Sequence, residues 1–170
     1  MTGMIGDRVT GRRVIRTVLA AEAQAVAALH ARARATYYPD GLPDPGADWS
    51  ASWRVAIERP DSHVLCLVEH GGILGVASFR TAEGAPADSV HLFQFHVDPD
   101  HWRAGVGSAL HAACAEQWRV DGKRTATLGV HVDNLRARAF YAARGWVPDP
   151  EQPPAPGDHH LALVYAVAGE

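Results

Sequence analysis

A glycine-containing stretch in the second half of the chain is the strongest sign of chemistry in this sequence. It reads DPDHWRAGVGSAL over residues 98–110 and lies where a strand-like run gives way to a helical pattern. A turn of this kind presents unpaired backbone N–H groups and the positive end of the helix dipole, which together bind anions, most often phosphate. We therefore predict a diphosphate site whose donors are the amides of Arg103, Ala104, Gly105, Val106, Gly107 and Ser108.

The loop fits neither of two familiar phosphate-binding motifs. The Walker loop needs a Lys followed by Ser or Thr after its last glycine, and no Lys follows Gly107 here. The dinucleotide fingerprint needs a third glycine and usually follows a first strand. A nucleotide-binding protein is therefore the weaker alternative, and a plain strand-to-helix turn without a ligand also stays open.

Histidines and carboxylates in HVDPDH, residues 96–101, are of the types that bind metals. Their spacing spans a strand end and a proline turn and matches no strong ligand motif, so we predict no metal site. The two cysteines, Cys66 and Cys114, lie inside apolar patterns. They are predicted to be buried hydrophobic residues rather than a disulfide.

The elements that must position the loop follow from hydrophobic periodicity. Strands are predicted at 14–18, on both sides of a Gly-Gly turn at His70–Gly72, and at 90–97, 124–132 and 159–167. Helices are predicted at 20–38, at 50–58 with Ser50 as the cap, from Gly105 to Asp121–Gly122, and at 134–144 with Asn134 as the cap. Hairpins and crossovers alternate in this order, which indicates a mixed α/β sheet.

Composition limits the classes of protein that fit. The chain has 170 residues, 47% hydrophobic and 21% charged, with a formal net charge of −3. We predict one domain over residues 1–170, with a flexible lead at 1–12. No apolar run reaches the length of a membrane span, no signal-peptide pattern is present and no basic stripe suits nucleic acid. We therefore expect a cytoplasmic protein that binds neither membranes nor nucleic acids.

The segments VDPDHWRAGVGSAL and LGVHVDNLRARAFYAARGW resemble the GNAT superfamily of N-acetyltransferases. In that family a strand ends at V-x-P, a loop [Q/R]xxGx[G/A] binds the coenzyme A diphosphate, and a later strand and helix read VxxxNxxAxxFYxxxG[F/W]. The matching residues are Val97, Pro99, Gly105, Gly107, Val130, Asn134, Ala137, Phe140, Tyr141, Gly145 and Trp146. The resemblance is specific over 90–147 and extends over 14–89 by element order alone.

The resemblance implies a mixed, mostly antiparallel central sheet flanked by helices on both faces. One position departs from the family pattern, because Trp102 stands where the loop commonly begins with Gln or Arg. A side-chain contact is thereby in doubt. Cofactor binding is still implied, since most diphosphate contacts in the family come from backbone amides.

The resemblance also implies a reaction, the direct attack of an amine on acetyl-CoA. In many relatives a Glu six residues before the V-x-P valine acts as the general base. His91 occupies that position here. An imidazole with an unperturbed pKa of about 6.5 suits a base at neutral pH, although a structural strand histidine is the alternative. The reserve candidates for the base are His131, His96 and Glu69.

Other site residues are carried over from the same pattern. A main-chain N–H near Val97 would receive the negative charge that develops on the carbonyl oxygen. Tyr141 would stabilise or protonate the leaving thiolate and contact the cofactor; its alternative is a helix aromatic buried beside Phe140. Asn134 would bond the pantetheine arm as well as capping its helix.

The acceptor pocket is expected where GNAT relatives vary. Tyr37, Tyr38, Trp49 and Trp53 cluster there and predict an aromatic wall, with His131 as a further substrate-binding residue. Anchoring of the loop or of an interface is the alternative for these aromatic residues. Acidic side chains in the same segment, at Asp40, Asp44 and Asp48, could attract a cationic amine.

The sequence and the resemblance together predict an N-acetyltransferase that uses acetyl-CoA and needs no metal. Its partner would be a small-molecule or peptide amine, and a homodimer is possible because many relatives dimerise through C-terminal strands. The alternative is a non-catalytic module of the same fold that binds or senses acyl-CoA.

Overall fold

The computed structural model describes residues 12–44 and 47–168. Apart from Arg12, the predicted lead lies outside the described residues. The strands are β1 (Val14–Thr17), β2 (His63–Glu69), β3 (Gly72–Arg80), β4 (Ser89–Val97), β5 (Thr125–His131), β6 (Val147–Pro148) and β7 (His160–Ala166). The helices are α1 (Ala23–Ala35), α2 (Trp49–Glu58), α3 (Val106–Val120) and α4 (Leu135–Ala143). No described helix is both long and apolar enough to cross a membrane.

The strands form one sheet in the order β1-β2-β3-β4-β5-β7-β6. The pair β4–β5 is parallel, with Ser89 opposite Thr125, whereas β1–β2, β5–β7 and β6–β7 are antiparallel. The prediction of a mixed, mostly antiparallel sheet with helices is thus confirmed.

Three local predictions need correction. Helix α1 ends at Ala35 rather than at residue 38. The cap of α2 is Asp48, whose carboxylate accepts a hydrogen bond from the backbone N–H of Ser50, so Ser50 is not the cap. The short strand β6 is not among the predicted strands, and its Val147 lies opposite Val164 of β7. A two-residue strand leaves no periodic pattern and is visible only through its pairing.

The chain divides into two compact units. The first unit comprises Met1–Ser78 and Gln94–Cys114, and the second comprises Phe79–Phe93 and Ala115–Glu170. Strands β3 and β4 and helix α3 contribute residues to both. Each unit is described below by itself.

The first unit buries apolar side chains on both faces of its strands. On one face of β2, Val64 and Cys66 join a cluster with residues of α1 and α2, namely Val26, Leu29 and Trp53. On the other face Leu67 packs with Leu74 and with Val106 at the start of α3. Both cysteines are free and buried as predicted, and burial raises the pKa of Cys114 to about 12.

The second unit has an aromatic centre. The indole of Trp118 lies edge-on to the rings of Phe79, Trp146 and Tyr165, with centroids 5.6, 6.2 and 6.1 Å away. Trp146 also stacks on Tyr165 at 5.2 Å. Large rings from α3, from β3 and β7 and from the turn that follows α4 thus pack against each other.

Candidate active site

Asp98 directs the chain out of β4 toward the glycine loop. Its backbone N–H donates to the Leu74 carbonyl at 2.8 Å, so the residue after Val97 is held against β3. Its buried carboxylate accepts from the N–H of Asp100 at 3.0 Å and from Nη2 of Arg32 on α1 at 2.9 Å. The path of the loop is therefore fixed from both sides of the strand end.

The loop itself has the conformation of an anion-binding turn. Arg103 and Gly105 both adopt left-handed φ values, 65° and 80°. Among the described residues, the amides of Arg103 to Gly107 have no hydrogen-bond acceptor, and the 15-residue helix α3 begins at Val106. A run of free N–H groups at the positive end of a helix dipole is the geometry that binds phosphate. Ser108, the last predicted donor, lies in the first turn of α3.

Arg13, which directly precedes β1, contacts the glycine loop and was not predicted from the sequence. Its guanidinium donates to the carbonyl of Ala104, and its Nε donates to Oε2 of Glu69 at 2.8 Å. Its side chain is 34% exposed, and Nη1 lies 3.3 Å from where a Cβ on Gly105 would stand. A positive charge thus lies beside the free amides. Glu69, a reserve candidate for the base, is held in this ion pair.

Gly75 sets the position of helix α3. A Cβ on Gly75 would lie 3.1 Å from Cγ1 of Val106 and 3.2 Å from Cδ2 of Leu110, which is tighter than most real contacts. Both neighbours are fully buried and have little room to move. The absence of a side chain on β3 therefore lets the first turn of α3, and with it the loop, approach the sheet.

Two of the predicted aromatic residues of the first unit, Tyr38 and Trp49, lie against Arg34. The Arg34 guanidinium lies over the rings of Tyr38 and Trp49, 5.2 and 5.3 Å from their centroids. It also pairs with Asp44 at 2.5 Å, and Tyr37 lies against Tyr38 at 5.2 Å. Asp44, which could attract a cationic amine, is therefore already paired with a cation.

Trp53 lies deeper, in contact with two stacked histidines. Its indole N–H donates to Nδ1 of His30 at 3.1 Å, and the His30 ring stacks on His96 at 4.3 Å. Burial lowers the pKa of His30 to about 4 and also lowers that of His96. Both rings are neutral at pH 7, and the burial of Trp53 favours the anchoring alternative.

The second unit contains a cavity of about 270 Å³ on the face of β4, β5 and β7 that carries His91. The ring Nδ1 of His91 and Oγ1 of Thr127 are 2.7 Å apart across the parallel pair. Burial, together with the charge of Arg80, lowers the pKa of His91. His91 is thus neutral at pH 7 and able to accept a proton. The cavity is lined by His91, Thr127, Leu128, Gly129, Asp149, Gln152, Pro153, Pro154, Asp158, His160 and Ala162.

His131 has a hydrogen bond and a ring contact within the second unit. Its Nδ1 accepts a hydrogen bond from the backbone N–H of Asp133 at 3.1 Å, and its ring lies edge-on to His160 at 5.6 Å. In the neutral tautomer that fits this bond, Nε2 carries the hydrogen. His131 is therefore less suited to proton abstraction than His91, and its predicted substrate contact remains a prediction.

Asn134 and Tyr141 lie at the start and near the end of α4. Oδ1 of Asn134 accepts from the N–H of Ala137 at 3.2 Å, which confirms its role as a helix cap. Tyr141 is 6% exposed and packs against Trp146 at 5.7 Å, whereas Phe140 is half-buried beneath the Arg144 guanidinium. The two adjacent rings thus have different surroundings. The predicted chemistry of Tyr141 and the pantetheine contact of Asn134 remain predictions.

Within residues 12–44 and 47–168, no group of three or more His, Cys, Asp or Glu side chains is arranged to hold a metal ion. The His and Asp side chains around 96–101 have other partners. His96 contacts Gln94, and Asp98 pairs with Arg32.

Comparison with known families places this fold and loop in a class. The model of the acetyltransferase (GNAT) family matches residues 24–146, well over half of the chain. The chain therefore belongs to the GNAT family of acetyltransferases. None of the curated proteins compared matches this sequence significantly.

Solved structures of similar proteins establish the same fold. PaiA N-acetyltransferase from Thermoplasma acidophilum, solved with coenzyme A, is 14% identical, with 91% of this chain and 99% of that one covered and a TM-score of 0.73. YncA from Salmonella typhimurium, a putative acetyltransferase solved with acetyl-CoA, is 19% identical, with coverage of 92% and 94% and a TM-score of 0.69. An acetyltransferase from Thermus thermophilus is 18% identical, with coverage of 92% and 98% and a TM-score of 0.72.

Proposed function

We propose that this chain is an N-acetyltransferase that moves the acetyl group of acetyl-CoA to an amine. The observation that carries the proposal is the run of free amides from Arg103 to Gly107 at the start of α3. Family membership supplies the class of reaction, and the loop supplies a place for the cofactor's pyrophosphate.

The residues of the loop fit this cofactor. Successive amides that turn through left-handed Arg103 and Gly105 form a concave set of donors for phosphate oxygens. The Arg13 guanidinium adds a positive charge beside them, and no acidic residue lies in the first turn of α3. When bound, acetyl-CoA supplies an acetyl thioester that is open to attack by a neutral amine.

His91 is the proposed proton acceptor. An alkylamine with a pKa of about 10.4 is protonated at pH 7 and cannot attack until a base removes its proton. His91 is neutral there because its pKa is lowered, and it lines a cavity that an amine could enter. When Nδ1–H donates to the Thr127 hydroxyl, Nε2 keeps the lone pair that takes the proton.

Three further roles follow from the family pattern. The Tyr141 hydroxyl would donate its proton to the departing sulfur, and the main-chain N–H near Val97 would bond the thioester oxygen. The helix cap uses only Oδ1 of Asn134. The side-chain nitrogen Nδ2 would therefore donate to the pantetheine arm.

The test is release of free thiol from acetyl-CoA in the presence of a panel of primary amines, together with acetyl-CoA binding by calorimetry. Gly105→Ala and Gly84→Ala form a matched pair, since both residues have left-handed φ values, +80° and +78°, and carry the same backbone strain. We expect only Gly105→Ala to weaken acetyl-CoA binding, by about tenfold or more, because a Cβ there enters the phosphate site.

Two outcomes would contradict the proposal. Equal acetyl-CoA affinity in the two glycine variants would remove the loop as the cofactor site. Tight acetyl-CoA binding without thiol release from any amine would remove catalysis and leave the non-catalytic binding module in its place.

A further inference from the structure

The cavity of the second unit has an unbalanced negative charge. Two of its lining side chains are carboxylates, Asp149 and Asp158, and neither Lys nor Arg lines it among the described residues. Its other polar side chains are those of His91, Thr127, Gln152 and His160. A ligand that enters this cavity therefore meets two carboxylates and no cation in the lining, since Arg80, whose charge acts on His91, does not line the cavity.

Asp149 is the centre of this charge. The residue is only 8% exposed, and its Oδ1 accepts a hydrogen bond from the backbone N–H of Glu151 at 2.9 Å. Its Oδ2 has no hydrogen-bond or ion-pair partner in the described part of the chain. The Oδ2 atom is not fully enclosed by protein, so a cationic group in the cavity can reach it. One oxygen of Asp149 is thus available to a ligand in the cavity.

We infer that the cavity binds the amine acceptor and selects acceptors that carry a second positive charge besides the reacting nitrogen. This inference rests on the proposed function, in which His91 removes the proton from the reacting amine. That nitrogen is neutral when it attacks and gives up its attraction to a carboxylate. The free oxygen of Asp149 therefore serves a second cationic group, which remains charged throughout.

The same charges exclude other classes of amine. An acceptor with a carboxylate, such as an amino acid, would place its negative group among Asp149 and Asp158 without an arginine or lysine to bind it. A cavity of about 270 Å³ also holds only a compact group. The favoured acceptor is a short aliphatic diamine, or a chain end that presents two nearby amines.

The test compares three amines with the same four-carbon chain, namely putrescine, n-butylamine and γ-aminobutyrate, which differ in the charge of the far end. We expect the kcat/KM of putrescine to exceed that of n-butylamine by about tenfold to a hundredfold, the range of a charge-assisted hydrogen bond. The value for γ-aminobutyrate should be lower again. In Asp149→Asn, which keeps the acceptor for the Glu151 N–H, the ratio of putrescine to n-butylamine should fall to within about threefold.

Asp88→Asn is the matched control, because it removes the same charge from an exposed residue of the second unit that does not line the cavity. It should keep the wild-type ratio. Equal kcat/KM values for the three amines in the wild type, or an unchanged ratio in Asp149→Asn, would overturn the inference.

Calorimetric titration of putrescine separates this inference from the proposed function, because it needs no turnover. Putrescine that binds the wild type and loses about tenfold or more in affinity with Asp149→Asn supports the charged cavity, even where no amine is acetylated. Acetylation of all three amines at equal rates, without putrescine binding, supports the transferase and overturns the charge selection.

Discussion

The glycine loop of the first unit and the cavity of the second unit differ in the kind of group that they expose. The loop presents main-chain N–H groups from Arg103 to Gly107, and its side chains are secondary. The cavity presents side chains, among them His91 and Asp149, on a regular strand and a proline-rich connection. A backbone site depends on the path of the chain, whereas a side-chain site depends on the identity of a few residues.

If the loop binds the cofactor as proposed, this difference predicts that Trp102, where the family commonly has Gln or Arg, does not abolish binding. A change of side chain at the loop leaves the free amides where they are, provided that the left-handed residues and the position of α3 are kept. In the cavity a change from Glu to His at position 91 changes the chemistry, since a histidine titrates nearer neutrality than a carboxylate.

The largest expected effect is in the cavity. We expect His91→Ala to lower kcat/KM for amine acetylation by about a hundredfold or more, the usual contribution of a general base. Because burial lowers the His91 pKa, the wild-type rate should decline only as pH falls below about 6.5, where the imidazole gains a proton. His91→Ala should lack that decline, as pH–rate profiles of the two proteins would show.

His159→Ala is the control for this prediction, since His159 is exposed and does not line the cavity. The same pH profile in the wild type and in His91→Ala would assign the base elsewhere and leave His91 as a structural residue. Acetyl-CoA affinity should be equal in all three proteins, because the loop binds through its backbone.

Cofactor binding by the loop should be more sensitive to the residues that position α3 than to the side chains of the loop itself. Gly75→Ala places a Cβ against Val106 and Leu110, and we expect a loss of about 1–2 kcal/mol in the free energy of unfolding. Displacement of the first turn of α3 should also weaken acetyl-CoA binding by about tenfold. Thermal unfolding and calorimetry measure the two effects.

Gly72→Ala, at the start of the same strand, is the matched control, because its Cβ would lie an ordinary 3.8 Å from the nearest atom. Its unfolding and its acetyl-CoA affinity should stay close to those of the wild type. If Gly75→Ala behaves in the same way, the close approach of α3 to β3 does not control the loop.

A smaller effect is expected for Thr127, which acts through His91 as a positioning residue. Thr127→Val removes the hydroxyl 2.7 Å from Nδ1, so His91 loses the partner that holds its tautomer and ring orientation. We expect kcat to fall by about threefold to tenfold with little change in the KM for amine. The low-pH limb of the profile should also shift.

Thr127→Ser keeps the hydroxyl and should restore the wild-type values. A Ser variant as slow as the Val variant would point to packing at this position rather than to the hydrogen bond.

The two regions also differ in how far the sequence predicts them. The loop, the helix cap at Asn134 and most strand bounds follow from local patterns, because glycine spacing and periodicity report the path of the backbone. Arg34 and Asp149 could not be found in this way. Arg34 lies over the rings of Tyr38, which follows α1, and of Trp49 in α2, and Asp149 is buried although it lies in a proline-rich connection. Contacts distant in sequence leave no period to read.

Arg13 is the clearest case of such a distant contact, and it carries the smallest predicted effect. It reaches the carbonyl of Ala104 across 91 positions of sequence, from a segment with no motif. We expect Arg13→Gln to weaken acetyl-CoA binding by about twofold to fivefold, because a partly exposed cation beside a phosphate is screened by solvent. The loss should shrink as salt rises from low to moderate ionic strength. Arg12→Gln removes an equal charge one residue earlier and should have a smaller effect at every salt concentration. Equal losses in the two variants would mean that net charge alone, and not the position of Arg13 at the loop, contributes to cofactor affinity.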